Sequence, residues 1–245
     1  MNLKKMIGSA LSAVILTGAL NFGLCSAEQA PMPQFTAEQQ QAIAYYEQAA
    51  EYANNKQIEE AIEYFTKAID EVDGFVLAYN ERGTLYGMNG QFEEALADFN
   101  KAIEVDENDA AAYANRAMVH EAMEKPEQAL EDYSSAIELG LSTSGIYDAR
   151  GAVYGNLQRF DEAVADFTQA IEMDDSNISA YLNRGSVYGM TQKYEAAVAD
   201  FTRAIELDEN CGPAYYYRGV SYTYLNRQDL AKADMEKAEA LQKAQ

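Results

Sequence analysis

Arginine recurs in this chain with a spacing that never slips: Arg82, Arg116, Arg150, Arg184 and Arg218 stand 34 residues apart. Each sits in a short motif, seen most fully as Ala180-Tyr181-Leu182-Asn183-Arg184-Gly185. A fixed period of this size marks a stacked architecture, in which each unit buries its apolar face against its neighbours. Numbering the period from residue 42 gives units 42–75, 76–109, 110–143, 144–177, 178–211 and 212–245.

Each unit reads as two helices. The first half is rich in tyrosine, and a Gly/Asn turn such as Asn89-Gly90-Gln91 follows. In the second half, Phe92, Ala95, Leu96, Phe99, Ala102 and Ile103 recur at three and four residues, the period of a helix with one buried stripe. Segments such as Asp106-Glu107-Asn108-Asp109 separate the units and are poor helix interior. Upstream, 28–41 is a polar leader with Pro31 and Pro33. Thr36 followed by Gln39 resembles a capping box, so the first helix is expected to start near Ala37.

In repeat numbering, Tyr stands at position 4, Gly or Ala at 8, Tyr at 11, Ala at 20, Phe or Tyr at 24 and Ala at 27. In the fifth unit these are Tyr181, Gly185, Tyr188, Ala197, Phe201 and Ala204. The pattern resembles the tetratricopeptide repeat (TPR), a helix-turn-helix unit of this length. The resemblance implies an all-α fold, a right-handed superhelical solenoid of six stacked units. Tyr replaces the family's Trp at position 4 and Arg its Leu at 7. The late Pro at 32 is missing throughout, which leaves the ends of the second helices undefined.

The small residues at position 8 (Gly83, Ala117, Gly151, Gly185, Gly219) are expected where two helices cross closely. The tyrosines at positions 4 and 11 are expected to pack the core, and His120, at position 11 of the third unit, is a core variant of them. Position 23 carries Asp98, Asp132, Asp166, Asp200 and Asp234, whereas the first unit has Gln48 at position 7 and Tyr64 at 23. Both charges are absent together, which predicts an Arg–Asp pair inside each unit; pairing between units would leave Arg82 alone. The alternative has the arginines gripping acidic ligands. At position 28, five isoleucines give way to Glu239, so the last helix, with Lys232, Glu236, Glu239 and Lys243, reads as a polar cap.

The resemblance also places binding on a concave face lined by first helices. Carried over residue by residue, it implies Tyr46, Asn80, Met88, Asn115, Met118, Leu182, Asn183, Met190, Tyr216, Tyr217 and Tyr224 as the protein-binding groove, with Glu47, Glu81, Asp148 and Asn156 beside them. No lysine or arginine is among them. The family's basic clamp for acidic C-termini is therefore not reproduced, although Asn115 and Asn183 match its Asn position.

Composition narrows the partner. The chain has 40 Asp+Glu against 18 Lys+Arg, a net charge of −22. Such a surface repels phosphate backbones and anionic headgroups, which argues against nucleic acid and membrane partners. His120 is the single histidine; there is no Ser/His/Asp or Cys/His set, zinc spacing or phosphate-binding loop, so neither catalysis nor a metal or other cofactor is expected. Segment 1–27 reads as a signal peptide: Lys4 and Lys5, an apolar run from Met6 to Leu20, then Cys25-Ser26-Ala27, with cleavage after Ala27. The alternatives are an uncleaved anchor and a lipid-modified Cys25. The reading that follows is an exported scaffold, periplasmic or secreted, that binds a protein or peptide segment; the alternative is a structural or self-associating module of a cell-envelope assembly. One consequence concerns stability alone: Phe167→Ala, emptying the aromatic position 24, is expected to cost about 3–5 kcal/mol in urea denaturation.

Overall fold

The computed structural model describes residues 35–243. The signal-peptide reading of 1–27 lies outside them. The described residues form twelve α-helices, and no strand is found among them. They divide into two units, each built of three antiparallel helix pairs. In the first, at 35–139, α1 (Ala37–Asn54) pairs with α2 (Ile58–Glu71), α3 (Val76–Met88) with α4 (Phe92–Val105), and α5 (Ala110–Ala122) with α6 (Pro126–Glu138). In the second, at 140–243, α7 (Ser144–Asn156) pairs with α8 (Phe160–Met173), α9 (Ile178–Met190) with α10 (Tyr194–Leu207), and α11 (Gly212–Tyr224) with α12 (Gln228–Lys243). Helix α1 opens on the expected capping box: the Gln39 amide N–H donates to Thr36 Oγ1, and the Thr36 N–H to Gln39 Oε1.

All six turns between the helices of a pair share one geometry. Lys56, Gly90, Glu124, Gln158, Gln192 and Asn226 adopt positive φ, although only one of them is glycine. The next N–H reaches back five residues to a carbonyl, as from Gln91 to Tyr86 or from Lys193 to Tyr188, the Schellman arrangement. The second helices end without proline. Asp106, Asp174 and Asp208 each accept from the N–H two residues on, forming Asx turns that stop the helix and aim the chain at the next pair.

The position-8 residues sit where the sequence places them. A Cβ on Gly185 would lie 2.9 Å from Phe201 Cε1 and 3.2 Å from Asp200 Cβ, and Gly151 stands in the same relation to Phe167 and Asp166. The first helix therefore rests directly on the aromatic ring of the second, and Phe65, Phe99, Phe167 and Phe201 are all but fully buried.

The same approach brings each arginine to its aspartate. Arg184 Nε and Nη2 donate to Asp200 Oδ2 and Oδ1 at 2.9 and 2.8 Å, and Arg82–Asp98, Arg116–Asp132, Arg150–Asp166 and Arg218–Asp234 do likewise. Hydrogen bonds to Asp200 hold the Arg184 guanidinium above its ordinary range, against desolvation. A second bond runs backwards, to the preceding pair. Nη1 of Arg82 donates to Thr66 Oγ1 at 2.8 Å, Arg116 to Asn100 Oδ1 at 2.6 Å, Arg184 to Thr168 Oγ1 at 3.0 Å and Arg218 to Thr202 Oγ1 at 3.1 Å.

The tyrosines of positions 4 and 11 differ from expectation. Tyr79 and Tyr181 are buried, but most of the set is only half-buried, and their rings flank the guanidinium. Tyr181 and Tyr188 both stand 5.9 Å from Arg184 Cζ, and Tyr79 and Tyr86 bracket Arg82 at 5.7 and 5.8 Å. Their first task is to enclose a cation rather than to fill an apolar core. Removing one partner of such a pair leaves an uncompensated charge. Asp200→Ala is expected to cost about 3–5 kcal/mol, and Arg184→Met with Asp200→Leu far less, compared by urea denaturation.

Candidate functional site

Within each unit the first helices stand side by side, α3 against α5 and α7 against α9 against α11, and present one common inner face. Of the nine exposed large apolar side chains among the described residues, six lie on first helices: Met88, Met118, Met190, Tyr216, Tyr217 and Tyr224. Met88 is 78 %, Met118 60 % and Met190 67 % exposed. In a chain this rich in charge, uncovered thioethers at repeated helical positions are surface kept apolar without a folding reason.

The other candidates are placed differently. Tyr46 is half-buried, packed edge-on to Phe65 at 5.5 Å and tilted on Phe75 at 5.3 Å. Burial first, and the Glu81 carboxylate second, push its hydroxyl up to about 12, so it stays a neutral phenol. Asn80 is 8 % exposed, and its Nδ2 donates to Asp109 Oδ2 at 2.5 Å. Asp109 in turn caps α5, accepting from the N–H groups of Ala111 and Ala112. Asn80 thus braces the start of the next pair. Leu182 packs partly into the cluster of Tyr181, Ala204, Cys211 and Ala214.

The two asparagines at the family's Asn position are half-buried. Asn183 Nδ2 donates to Asp148 Oδ1 at 2.9 Å and to Ser179 Oγ at 3.3 Å, whereas Asn115 Nδ2 is only 3.5 Å from Thr84 Oγ1, the edge of a hydrogen bond. At the last pair, the Tyr216 and Tyr217 rings meet edge to face at 5.2 Å and line a cleft of about 590 Å³ with Pro213, Met235, Leu241 and Gln242. Tyr224 lies flat on Tyr194 at 4.6 Å, a stack that sequence reading did not foresee.

Also unforeseen are two open troughs on the inner faces. One, of about 250 Å³, runs between α3 and α5, with Gly83, Gly87, Phe99 and Val119 in its lining and Met88 and Met118 at its rim. The other, of about 130 Å³, lies between α7 and α9 beside Gly155, Phe167 and Met190. Their signal in the sequence is glycine at position 12, in the last turn of a first helix, where alanine would be the better helix former.

Two family models, both described as tetratricopeptide repeat, match this architecture. One matches 76–109 and 178–211, and the other 42–71, 110–139, 144–177 and 212–245. The chain belongs to the tetratricopeptide repeat family. Among solved structures it is similar to YrrB, a TPR protein described as having an unusual peptide-binding site, with 26 % identity and a TM-score of 0.66 over 73 % of this chain and 92 % of that one. A TPR protein from Parabacteroides merdae aligns at 21 % identity and a TM-score of 0.70, over 82 % of this chain and 80 % of its own. MamA aligns at 19 % identity and a TM-score of 0.65, over 69 % and 92 %. The last two likenesses concern the fold alone. No curated protein matches the chain by sequence.

Among the described residues no group of His, Cys, Asp and Glu is placed to hold a metal ion, and no helix is long and apolar enough to cross a membrane. Cys211 is a buried free thiol. The third TPR unit departs from the others in its chemistry. Tyr133 replaces phenylalanine at position 24 and donates its hydroxyl to Glu121, and burial raises the Glu121 carboxyl. His120 replaces the tyrosine that elsewhere flanks the arginine. Its Nε2 is 3.6 Å from Asp132 Oδ2, but that carboxylate is already held by Arg116, and Nδ1 is buried with no hydrogen-bond partner among the described residues. Burial is the main reason the His120 imidazole sits below its ordinary range; the pull of Asp132 upward is opposed by Arg116 and Lys125.

The folded chain therefore takes up a proton on this ring less readily than the unfolded chain, whose imidazole titrates at about pH 6.5. The stability present above that pH is lost as pH falls through and below it. Thermal melts at about pH 7.5 and about pH 5.5 should show a larger drop for the native sequence than for His120→Tyr, which restores the residue of the other five units.

Proposed function

We propose that this chain is an exported, non-catalytic TPR scaffold that holds a segment of a protein partner on the inner face of its first helices. The observation that carries this reading is the concentration of exposed methionine and tyrosine on that face. Methionine adapts to the shape of a bound chain, and tyrosine supplies area with a polar tip. The family, and the peptide-binding site named for YrrB, support protein recognition as the use of such a face. Export rests on Lys4-Lys5, the apolar run and Cys25-Ser26-Ala27.

A second reading, self-association within an envelope assembly, is favoured by the cleft of about 590 Å³ on the final helix pair. Replacement of Tyr216, Tyr217 and Tyr224 together by Ala separates the two. If the inner face binds the partner, a folded monomeric triple variant loses the protein that the native chain captures from envelope and secreted fractions. Unchanged capture, or native oligomers that disappear in the variant, favours self-association. Sedimentation velocity alongside the capture measures both.

A further inference from the structure

Glycine appears in the first helices for two different reasons. At position 8 the fold requires it, as the contacts of Gly151 and Gly185 show. At position 12 it does not. A Cβ on Gly87 would meet Val119 Cγ2 at 3.5 Å, an ordinary contact; on Gly155 it would lie 3.9 Å from Val187, and on Gly189 nothing stands within 4 Å. All three have right-handed helical backbones, so no special conformation calls for glycine. Each is the penultimate residue of its helix, where alanine is still the better helix former and no close contact calls for glycine.

What the missing side chain creates is clearest in the first unit. Beside Gly87 the inner face opens into the trough of about 250 Å³ between α3 and α5, with Phe92, Phe99 and Val119 in its lining. Met88 and Met118 stand at its mouth, both largely exposed. This is room for an aromatic ring, and two polarisable thioethers at the rim suit its edge and face. Asn115, with its amide only loosely bonded, lies beside the same opening.

The carboxylates of the flanking first helices give this face one sign. Glu81 on α3 and Glu47 on α1 hold the repeat position that Asn115 holds in the trough lining, and Glu121, three residues after Met118, accepts from the Tyr133 hydroxyl. The corresponding positions of α1, α3 and α5 hold no lysine or arginine, and Arg82 and Arg116 are each held by a buried aspartate. The whole chain carries a net charge of −22. A segment bearing lysine or arginine is drawn to this face, and an acidic one is repelled.

We propose that the Gly87 trough receives the side chain of an aromatic residue from a basic peptide segment, with the carboxylates of the inner face selecting the flanking charges. This rests on the inner-face reading above and names the chemistry of the partner. Gly87 then serves close approach: it leaves the ring of the partner, rather than a side chain of α3, to cover Val119.

Fluorescence anisotropy with the full chain tests it, using three short synthetic peptides: one rich in lysine with a central tryptophan, one with alanine in place of the tryptophan, and one with glutamate in place of the lysines. The tryptophan–lysine peptide should bind at least about tenfold more tightly than either relative, the usual effect of a single buried anchor. Its affinity should fall with added salt. Gly87→Leu, which fills the trough with a better helix former, should weaken that binding by a similar factor, and Gly189→Leu in the second unit should leave it unchanged. Should Gly87→Leu fail to fold, Met88→Ser with Met118→Ser, at two exposed positions, is read in the same way. The proposal is overturned if the native chain does not bind the tryptophan–lysine peptide, if the glutamate peptide binds equally well, or if the trough-filling variant binds like the native chain. Loss of partner capture by the triple tyrosine variant, with trough variants unaffected, would leave the inner-face reading standing and remove this site alone.

Discussion

The bidentate arginine–aspartate pair is the contact on which five of the six helix pairs depend. It forms because a small residue at position 8, glycine or alanine, lets the first helix rest closely on the second, which brings position 7 within reach of position 23. Two tyrosine rings bracket the guanidinium, and its remaining nitrogen bonds to the helix pair before it. One side chain therefore ties together three helices. Desolvation offsets much of the attraction in a pair this buried, so its main product is order. With the guanidinium fixed from four sides, the first helices have one allowed rotation, and that rotation decides which residues face inward.

The repeat, the helix pairs and the arginine–aspartate pairing were all legible in the sequence, because each is written several times and one unit lacks both charges together. Gln48 and Tyr64 stand where the others have Arg and Asp, and there Tyr64 instead packs against Tyr45 and Tyr52. The role of the flanking tyrosines was less legible. Periodicity reports that a residue lies on a buried stripe, not whether its neighbour is a methyl group or a guanidinium. The helix ends were open because the usual proline is missing, and Asx turns do the same work with different atoms.

Site residues were legible only in part, for a related reason. Position within the repeat predicted exposure well for Met88, Met118 and Met190, whose side chains have nothing to bond. It predicted less for Asn80, whose amide is drawn to Asp109, or Tyr46, which leans on Phe75. Polar and aromatic side chains find partners that depend on the next unit, and a single repeat does not encode them. The troughs beside Gly87 and Gly155 are features of absence, visible only once neighbouring helices define their walls.

The turns between paired helices carry a different implication. Lysine, glycine, glutamate, glutamine and asparagine all occupy the same left-handed corner, which most of them adopt at some energetic disadvantage. The angle between the helices must then be imposed by the close contact at the small position-8 residue below, with the corner residue following. That frees the chemistry of the corner. Lys56, Glu124, Gln158, Gln192 and Asn226 form a series of interchangeable, solvent-facing sites, where a dye, a tether or a short inserted loop can be attached at a known place in each pair without loosening the packing beneath.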